Sequence, residues 1–119
     1  MTDVKLPHNH GHIDNDFFEH IPSPQDIGIV AEALKQLGDP SRLRIFWVLC
    51  HCEECVIDIA AMVGMSSPAV SHHLRLLKNS GLITSRREGK EMYYTAADTE
   101  LAHELHHTIE NIAHITCPK

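Results

Sequence analysis

The segment Ser67-Pro68-Ala69-Val70-Ser71-His72-His73-Leu74-Arg75-Leu76-Leu77 decides the fold of this chain of 119 residues. We expect Ser67 to cap a helix and Pro68 to occupy its first turn, since both residue types favour these positions. Apolar residues then recur at steps of four and three, which turns one helix face towards a core. They are Val70, Leu74 and Leu77. The segment therefore predicts an amphipathic helix over residues 68–78.

The flanking sequence predicts the remaining elements. Upstream, apolar residues at helical spacing indicate three helices, and downstream two strand-like runs flank the turn Arg87-Glu88-Gly89-Lys90. The predicted helices cover residues 25–37, 40–51, 56–63, 68–78 and 98–116, and the strands cover residues 82–86 and 91–96. We expect the inner face of the second helix to be Leu43, Phe46, Trp47 and Cys50 or Leu49. This order predicts a mainly α-helical winged helix-turn-helix with a small β-hairpin wing.

The two ends of the chain differ in character. Residues 1–23 contain Pro7 and Pro22, with Pro24 directly after them, and show no sustained periodicity. We therefore expect a flexible tail that carries His8, His10 and His12. Residues 24–119 would form one DNA-binding and dimerisation domain. The sequence lacks the apolar run of a membrane span or a signal peptide, so we expect a cytoplasmic protein. In that reducing compartment cysteines are thiols or metal ligands rather than disulfides.

Charge is distributed unevenly along the chain. The net charge is −6, yet residues 66–90 hold five basic residues and one acidic residue. Phosphate contacts act locally, so a basic strip on an acidic body suits DNA, although a solvated basic surface is the alternative. The residues predicted to face DNA are Ser67, Ala69, Ser71, His72, His73, Arg75 and Lys78 on the helix and Arg86, Arg87 and Lys90 on the hairpin. Alternatively, His72 or His73 packs or hydrogen-bonds within the fold.

Four segments together carry a family resemblance. They are Leu37-Gly38-Asp39-Pro40-Ser41-Arg42-Leu43-Arg44-Ile45, residues 67–77, Gly81-Leu82-Ile83 and Arg86-Arg87-Glu88-Gly89-Lys90-Glu91-Met92-Tyr93-Tyr94. Over about residues 25–116 the chain resembles the ArsR/SmtB family of metal-responsive repressors. The resemblance implies a homodimeric winged-helix repressor whose first and last helices form the dimer. It also implies double-stranded operator DNA as the partner and a metal ion as the inducer.

A cysteine cluster is the first-choice metal site. Cys50, Cys52 and Cys55 lie within six residues, and thiolates at this spacing can converge on one ion. They suit arsenite or antimonite, or zinc, cadmium or lead with a fourth ligand. The candidates for that ligand are His51, Cys117, His8, His10 and His12. In the family register only Cys55 matches a Cys-x-Cys pair, because Ile57 stands at the second position; alternatively, Cys50 packs in the core.

The last helix offers a second-choice metal site. The family resemblance places ligands at Asp98, Glu100, Asn111 and His114. An independent stripe at steps of four, three and four comprises His103, His107, Glu110 and His114, with His106 at its edge. We expect this stripe to lie opposite the apolar face of the helix. It indicates either a zinc site shared between helices or a solvated polar face.

An apolar stripe on the same helix favours a homodimer. It consists of Leu101, Leu105, Ile109, Ile112 and Ile115, and little chain remains to cover it. The sequence thus predicts a repressor that releases its operator on binding a metal or metalloid ion. The alternatives are a thiol-based redox-sensing repressor of the same fold, a metal-buffering protein and a zinc-stabilised structural module. No catalytic motif or organic-cofactor motif is recognisable.

Overall fold

A computed structural model describes residues 6–8 and 14–115. The elements are α1 (Asn15–Glu19), α2 (Pro24–Gln36), α3 (Pro40–Leu49), β1 (Glu54–Cys55), α4 (Val56–Val63), α5 (Ser67–Asn79), β2 (Ile83–Glu88), β3 (Glu91–Ala96) and α6 (Glu100–Ala113). This is the predicted mainly helical fold with a small antiparallel wing. The chain divides within α2 into two compact units, residues 1–31 and residues 32–119. The predicted boundary between tail and domain, after residue 23, stays a prediction.

The core of the second unit forms around α3, α4 and α5. Val70, Leu74 and Leu77 of α5 are buried, as their spacing predicts. The inner face of α3 is rotated from the predicted one, because the fully buried residues are Ile45, Phe46 and Leu49. Leu43, Trp47 and Cys50 are only partly buried. The face with these three residues is the one that packs against α4, α5 and β3.

The wing is a three-stranded antiparallel sheet in the order β1-β3-β2. β2 and β3 form the predicted hairpin, in which Gly89 adopts a φ of 63° at the turn. The addition is β1, whose Glu54 and Cys55 pair with Tyr94 and Tyr93 of β3. A strand of two residues has no period of its own, so the sequence did not predict it. Through β1, the last two residues of the cysteine segment (residues 50–55) are part of the wing.

Helix caps fix the boundaries of α3 and α5. Asp39 caps α3 as predicted, since its side chain accepts a hydrogen bond from the amide of Arg42 at 2.9 Å. The cap of α5 is Ser66 rather than Ser67, because the Ser66 hydroxyl accepts from the amide of Ala69. Ser67 is the first residue of the helix, so the predicted cap was one residue too late.

The last helix is shorter than predicted. It begins after the Thr99 cap and ends at Ala113, and His114 follows in a left-handed conformation with a φ of 56°. Within the parts of the chain that the structure describes, no helix is long and apolar enough to cross a membrane. His10, His12 and Cys117 lie outside the described residues.

Candidate DNA interface and metal centres

The polar face of α5 lies opposite its buried stripe. Ser71, His72, Arg75 and Lys78 are exposed, and Ser67 and Ala69 are partly exposed. The Arg75 guanidinium contacts His72 Nδ1 at 3.0 Å. Short side chains at the start of the helix and a guanidinium farther along suit a helix that enters the major groove of DNA. The face predicted from the sequence is therefore accessible.

His73 points away from this face. Its side chain is 13% exposed, and its Nδ1 lies 3.1 Å from the guanidinium of Arg42. Because arginine only donates, Nδ1 accepts, which places the imidazole proton on Nε2, on the side of Asp39. Burial, together with the nearby Arg42, lowers the pKa of His73, although Asp39 opposes the shift. This is the internal hydrogen bonding named above as the alternative for one of the two histidines.

The wing presents Arg86, Arg87 and Lys90 to solvent. Arg86 is engaged with other side chains: it donates to both carboxylate oxygens of Glu53, at 2.7 to 3.0 Å, and to Glu88 at 3.0 Å. Its guanidinium also lies 5.1 Å from the ring centre of Tyr93. The hydrogen bonds from Arg86 lower the pKa of Glu53. The segment between Cys52 and Cys55 is thereby tied to strand β2.

The three clustered cysteines occupy different environments. Cys50 ends α3 and is partly buried, and Cys52 donates its thiol to the carbonyl of Val48 at 3.3 Å. Cys55 is the most buried of the three, at 8% exposure, where it starts α4. Burial raises the pKa of Cys52, and the nearby Glu54 adds to the effect. Among the described residues the three thiols do not form one compact ligand group, and their metal site stays a prediction.

The predicted stripe on α6 is divided in the structure. His103 contacts Asp98 at 3.1 Å on the surface, and His107 and His114 are exposed. Glu110 leaves the stripe, because its side chain is only 11% exposed and accepts a hydrogen bond from the indole of Trp47 at 3.1 Å. The stripe is therefore not a uniformly solvated face. Its use as a metal site stays a prediction.

Glu110 instead belongs to a group of three side chains. His51, His106 and Glu110 each bring one ligand atom within 4.8 Å of the others, the one such group found in the described residues. The spacing of His106 and Glu110, four residues apart on a helix, was a sequence signal for a pair. His51 lies 55 residues earlier than His106, and no local pattern joins them.

Comparisons with known proteins agree with this fold. A family model described as "Bacterial regulatory protein, arsR family" matches residues 39–85. The chain is 40% identical over 86 residues to the HTH-type transcriptional regulator NmtR of Mycobacterium tuberculosis, covering 72% of each protein. It is 44% identical over 72 residues to a transcriptional repressor SmtB homolog of Synechocystis, covering 60% of this chain. The chain spans about half (54%) of that Synechocystis relative.

A solved structure supports the same assignment. The solution structure of the homodimeric winged helix-turn-helix DNA-binding domain of a possible ArsR-family regulator from Mycobacterium bovis is 31% identical. The match has a TM-score of 0.69 and covers 82% of this chain and 92% of that one. The fold and its exposed α5 face define a winged helix-turn-helix DNA-binding protein. Within that class, the chain belongs to the ArsR/SmtB family of metal-responsive transcriptional regulators.

Proposed function

We propose that this protein is a homodimeric repressor that binds operator DNA in the cytoplasm and releases it when a metal or metalloid ion binds. One observation carries the switch: the cysteine segment, residues 50–55, is joined to the wing by a strand pairing, an ion pair and hydrogen bonds. Cys55 pairs with Tyr93 in the sheet, and Glu53 holds Arg86. Thr95 of β3 also donates its hydroxyl to the carbonyls of Leu49 and Cys52, at 3.2 and 3.1 Å.

DNA reading rests on the exposed face of α5. Arg75 has the reach and the paired donors for a guanine edge, and Ser71 is short enough to allow close approach. Arg87 and Lys90 at the tip of the wing suit phosphate contacts. Two copies of α5 in a dimer would read two half-sites of an inverted repeat. The expected binding weakens steeply with salt, because basic side chains displace counterions from DNA.

An uncovered apolar groove supports the dimer. It has a volume of about 270 Å³ and is lined mainly by leucine and isoleucine from α2, α3 and α6. The lining includes Leu34, Leu37, Leu43, Leu105, Ile109 and Ile112. Ile112 is 76% exposed, and Leu34 is 55% exposed. Apolar patches of this kind mark interfaces, and a similar protein of known structure is homodimeric.

The donor set at the cysteine segment fits a thiophilic ion. Cys50, Cys52 and Cys55 would hold it, and thiolates favour arsenite, cadmium, lead or zinc. Binding requires these thiols to lose their protons and to approach one another. The segment that carries Glu53 lies between Cys52 and Cys55, so a change there reaches Arg86 and the wing. The second choice for a ligand set remains Asp98, His103, His107, Glu110 and His114.

The proposed function is tested with a duplex that the reduced full-length protein selects from a random library. Arsenite, cadmium, lead and zinc are titrated in turn into the complex while fluorescence anisotropy follows DNA binding. At least one ion should weaken binding about 10- to 100-fold, the usual range of such couplings. If no ion weakens a salt-sensitive, sequence-specific complex, the proposed switch is wrong.

Cysteine variants test where the inducing ion binds. The Cys52→Ser and Cys55→Ser proteins should bind the metal-free duplex as tightly as the natural protein but lose most of the response. An unchanged affinity for DNA without metal is the control for folding, since a misfolded DNA-binding domain would not bind the duplex. A full response in the triple variant Cys50→Ser, Cys52→Ser, Cys55→Ser would move the inducer site to another set of ligands.

A further inference from the structure

Two helices bring His51, His106 and Glu110 together. His51 follows the end of α3, and His106 and Glu110 lie one turn apart on α6. His51 Nε2 lies 3.3 Å from Glu110 Oε2, and His106 Nε2 lies 2.9 Å from the same oxygen. The two imidazole nitrogens are 3.1 Å apart. Three ligand atoms therefore form a small triangle.

A proton network and a metal ion would use the three sides of this triangle differently. If both Nε2 atoms carry protons, both can donate to Glu110, but the two N–H groups then face each other across 3.1 Å. If only His106 Nε2 carries a proton, that proton must be shared between Glu110 and His51. A cation that faces three lone pairs satisfies every side. The donor set therefore suits a cation as well as a proton network.

The dimensions also suit a metal ion. Ligand atoms about 2.0–2.1 Å from a tetrahedral zinc ion lie about 3.3 Å from one another. The observed separations of 2.9 to 3.3 Å need only a small expansion. The side chains of His51, His106 and Glu110 are 19%, 20% and 11% exposed, so the triangle is largely shielded from solvent.

Neighbouring groups hold the triangle in place. The Trp47 indole donates to Glu110 at 3.1 Å, and its ring lies 4.5 Å from the ring of His51. Such hydrogen bonds to a ligand side chain orient it and strengthen metal binding. His106 also lines a cleft of about 240 Å³ that Cys50 and His103 share. The cleft offers an ion an entry path and leaves room for water as a further ligand.

We propose that His51, His106 and Glu110 form a binding site for a borderline divalent cation such as zinc, cobalt or nickel. Two imidazoles and a carboxylate prefer these ions to arsenite or lead, which favour thiolates. The site uses no cysteine and none of the family positions Asp98, Glu100, Asn111 and His114. Its His51 lies between Cys50 and Cys52, and its Glu110 belongs to the predicted stripe on α6. It goes beyond the proposed function, because it binds an ion whether or not the chain regulates DNA.

The experiment uses the full chain with all four cysteines, Cys50, Cys52, Cys55 and Cys117, replaced by serine, so that thiols do not compete. Trp47 is the only tryptophan, and its contacts with Glu110 and His51 make its fluorescence a local probe. Cobalt chloride is titrated without DNA, followed by zinc chloride in competition. We expect one cobalt ion per subunit, visible d–d absorption without a thiolate band, and a saturable change in Trp47 emission that zinc reverses.

Three single variants in this background decide the assignment. His106→Gln and Glu110→Gln should weaken cobalt binding at least 10-fold, about the lower limit for losing a group that supports a metal ligand. Glu104→Gln is the matched control, because Glu104 is an exposed carboxylate on the same helix and belongs to no proposed ligand set, so this variant should bind cobalt as before. Circular dichroism checks folding, and Glu110→Gln retains the shape of the side chain.

Two results would overturn the proposal. One is a cobalt affinity that His106→Gln and Glu110→Gln leave unchanged, which would make the triangle a hydrogen-bonded packing contact. The other is an equal loss in Glu104→Gln, which would indicate diffuse binding along α6. Because the measurement contains no DNA and no clustered thiols, either failure leaves the proposed repressor function untouched.

Discussion

At the scale of single residues, two adjacent histidines acquire opposite roles. His72 is exposed beside Arg75, whereas His73 accepts a hydrogen bond from Arg42 and lies near Asp39. Arg42 also donates to the carbonyl of Gln36 at 2.6 Å. This arrangement connects the end of α2, the start of α3 and α5. His73 therefore positions the recognition helix, and His72 is the histidine available to DNA.

His73 should make stability depend on pH. Its pKa is lowered in the folded state, so the unfolded chain takes up the proton first as the pH falls. The stabilisation is complete above about pH 6.5, the ordinary histidine pKa, and is lost as the pH falls through the lower folded-state value. Urea unfolding from pH 8 to pH 5 should show a shallower decline in His73→Gln than in the natural protein.

His72→Gln is the control for this experiment, because its side chain is exposed on the same helix. It should follow the decline of the natural protein. At pH 8 His73→Gln should lose about 1 kcal/mol, the usual net value of one hydrogen bond. A decline in His73→Gln as steep as that of the natural protein would show that other groups cause the pH dependence.

At the scale of elements, two adjacent serines at the start of α5 have different roles, one in the stability of the helix and one in its exposed surface. Ser66 lies outside the helix and caps it, and Ser67 is the first helical residue, at the edge of the DNA-facing surface. Adjacent serines therefore perform different tasks. The sequence correctly predicted a serine cap for α5. It named Ser67 instead of Ser66, because two serines stand side by side and either could cap the helix.

Alanine substitutions should distinguish the two serines. Ser66→Ala should lower the free energy of unfolding by about 1 kcal/mol, since the amide of Ala69 loses its acceptor. Ser67→Ala should change the unfolding free energy by less than about 0.5 kcal/mol, as is usual for surface positions, and weaken binding to the selected duplex. Urea denaturation and anisotropy measure the two effects. Greater destabilisation by Ser67→Ala would contradict the observed cap.

At the scale of the whole molecule, the apolar stripe of α6 serves two surfaces. Leu101, Leu105 and Ile109 pack against the core of the subunit. Ile112 continues the stripe and is 76% exposed, and Ile115, two residues beyond the end of α6, is 44% exposed. One helix thus packs internally along its first three turns and presents apolar side chains at its end. A second subunit is the expected cover for them.

Ile112→Asp should dissociate the dimer and leave the subunit folded. A carboxylate in an apolar interface should weaken association about 100-fold, which corresponds to about 2.8 kcal/mol. Sedimentation velocity over a concentration series gives the dissociation constant. Ile57→Asp is the matched control, because Ile57 is 66% exposed on α4, away from the groove. An unchanged dissociation constant for Ile112→Asp would exclude α6 as the interface.

Much of the fold could be predicted because helical periodicity is a local property. The spacing of Val70, Leu74 and Leu77 indicated the buried face of α5, and the hairpin turn indicated the wing. Strand β1 was not predicted, because a strand of two residues shows no periodicity in the sequence. The pairing of β1 with β3 depends on the tertiary fold. For the same reason, the connection from Glu53 to Arg86 could not be read from charge alone.

The sequence by itself determined the order of the main elements, the buried and exposed sides of α5 and the resemblance to metal-responsive repressors. Only the tertiary structure decided which histidine turns inward, and that His51 meets His106 and Glu110. Side-chain periodicity depends on neighbours within one or two turns of the chain. A meeting of residues 55 positions apart depends on how α3 and α6 pack, and the spacing of residues along one helix does not encode that geometry.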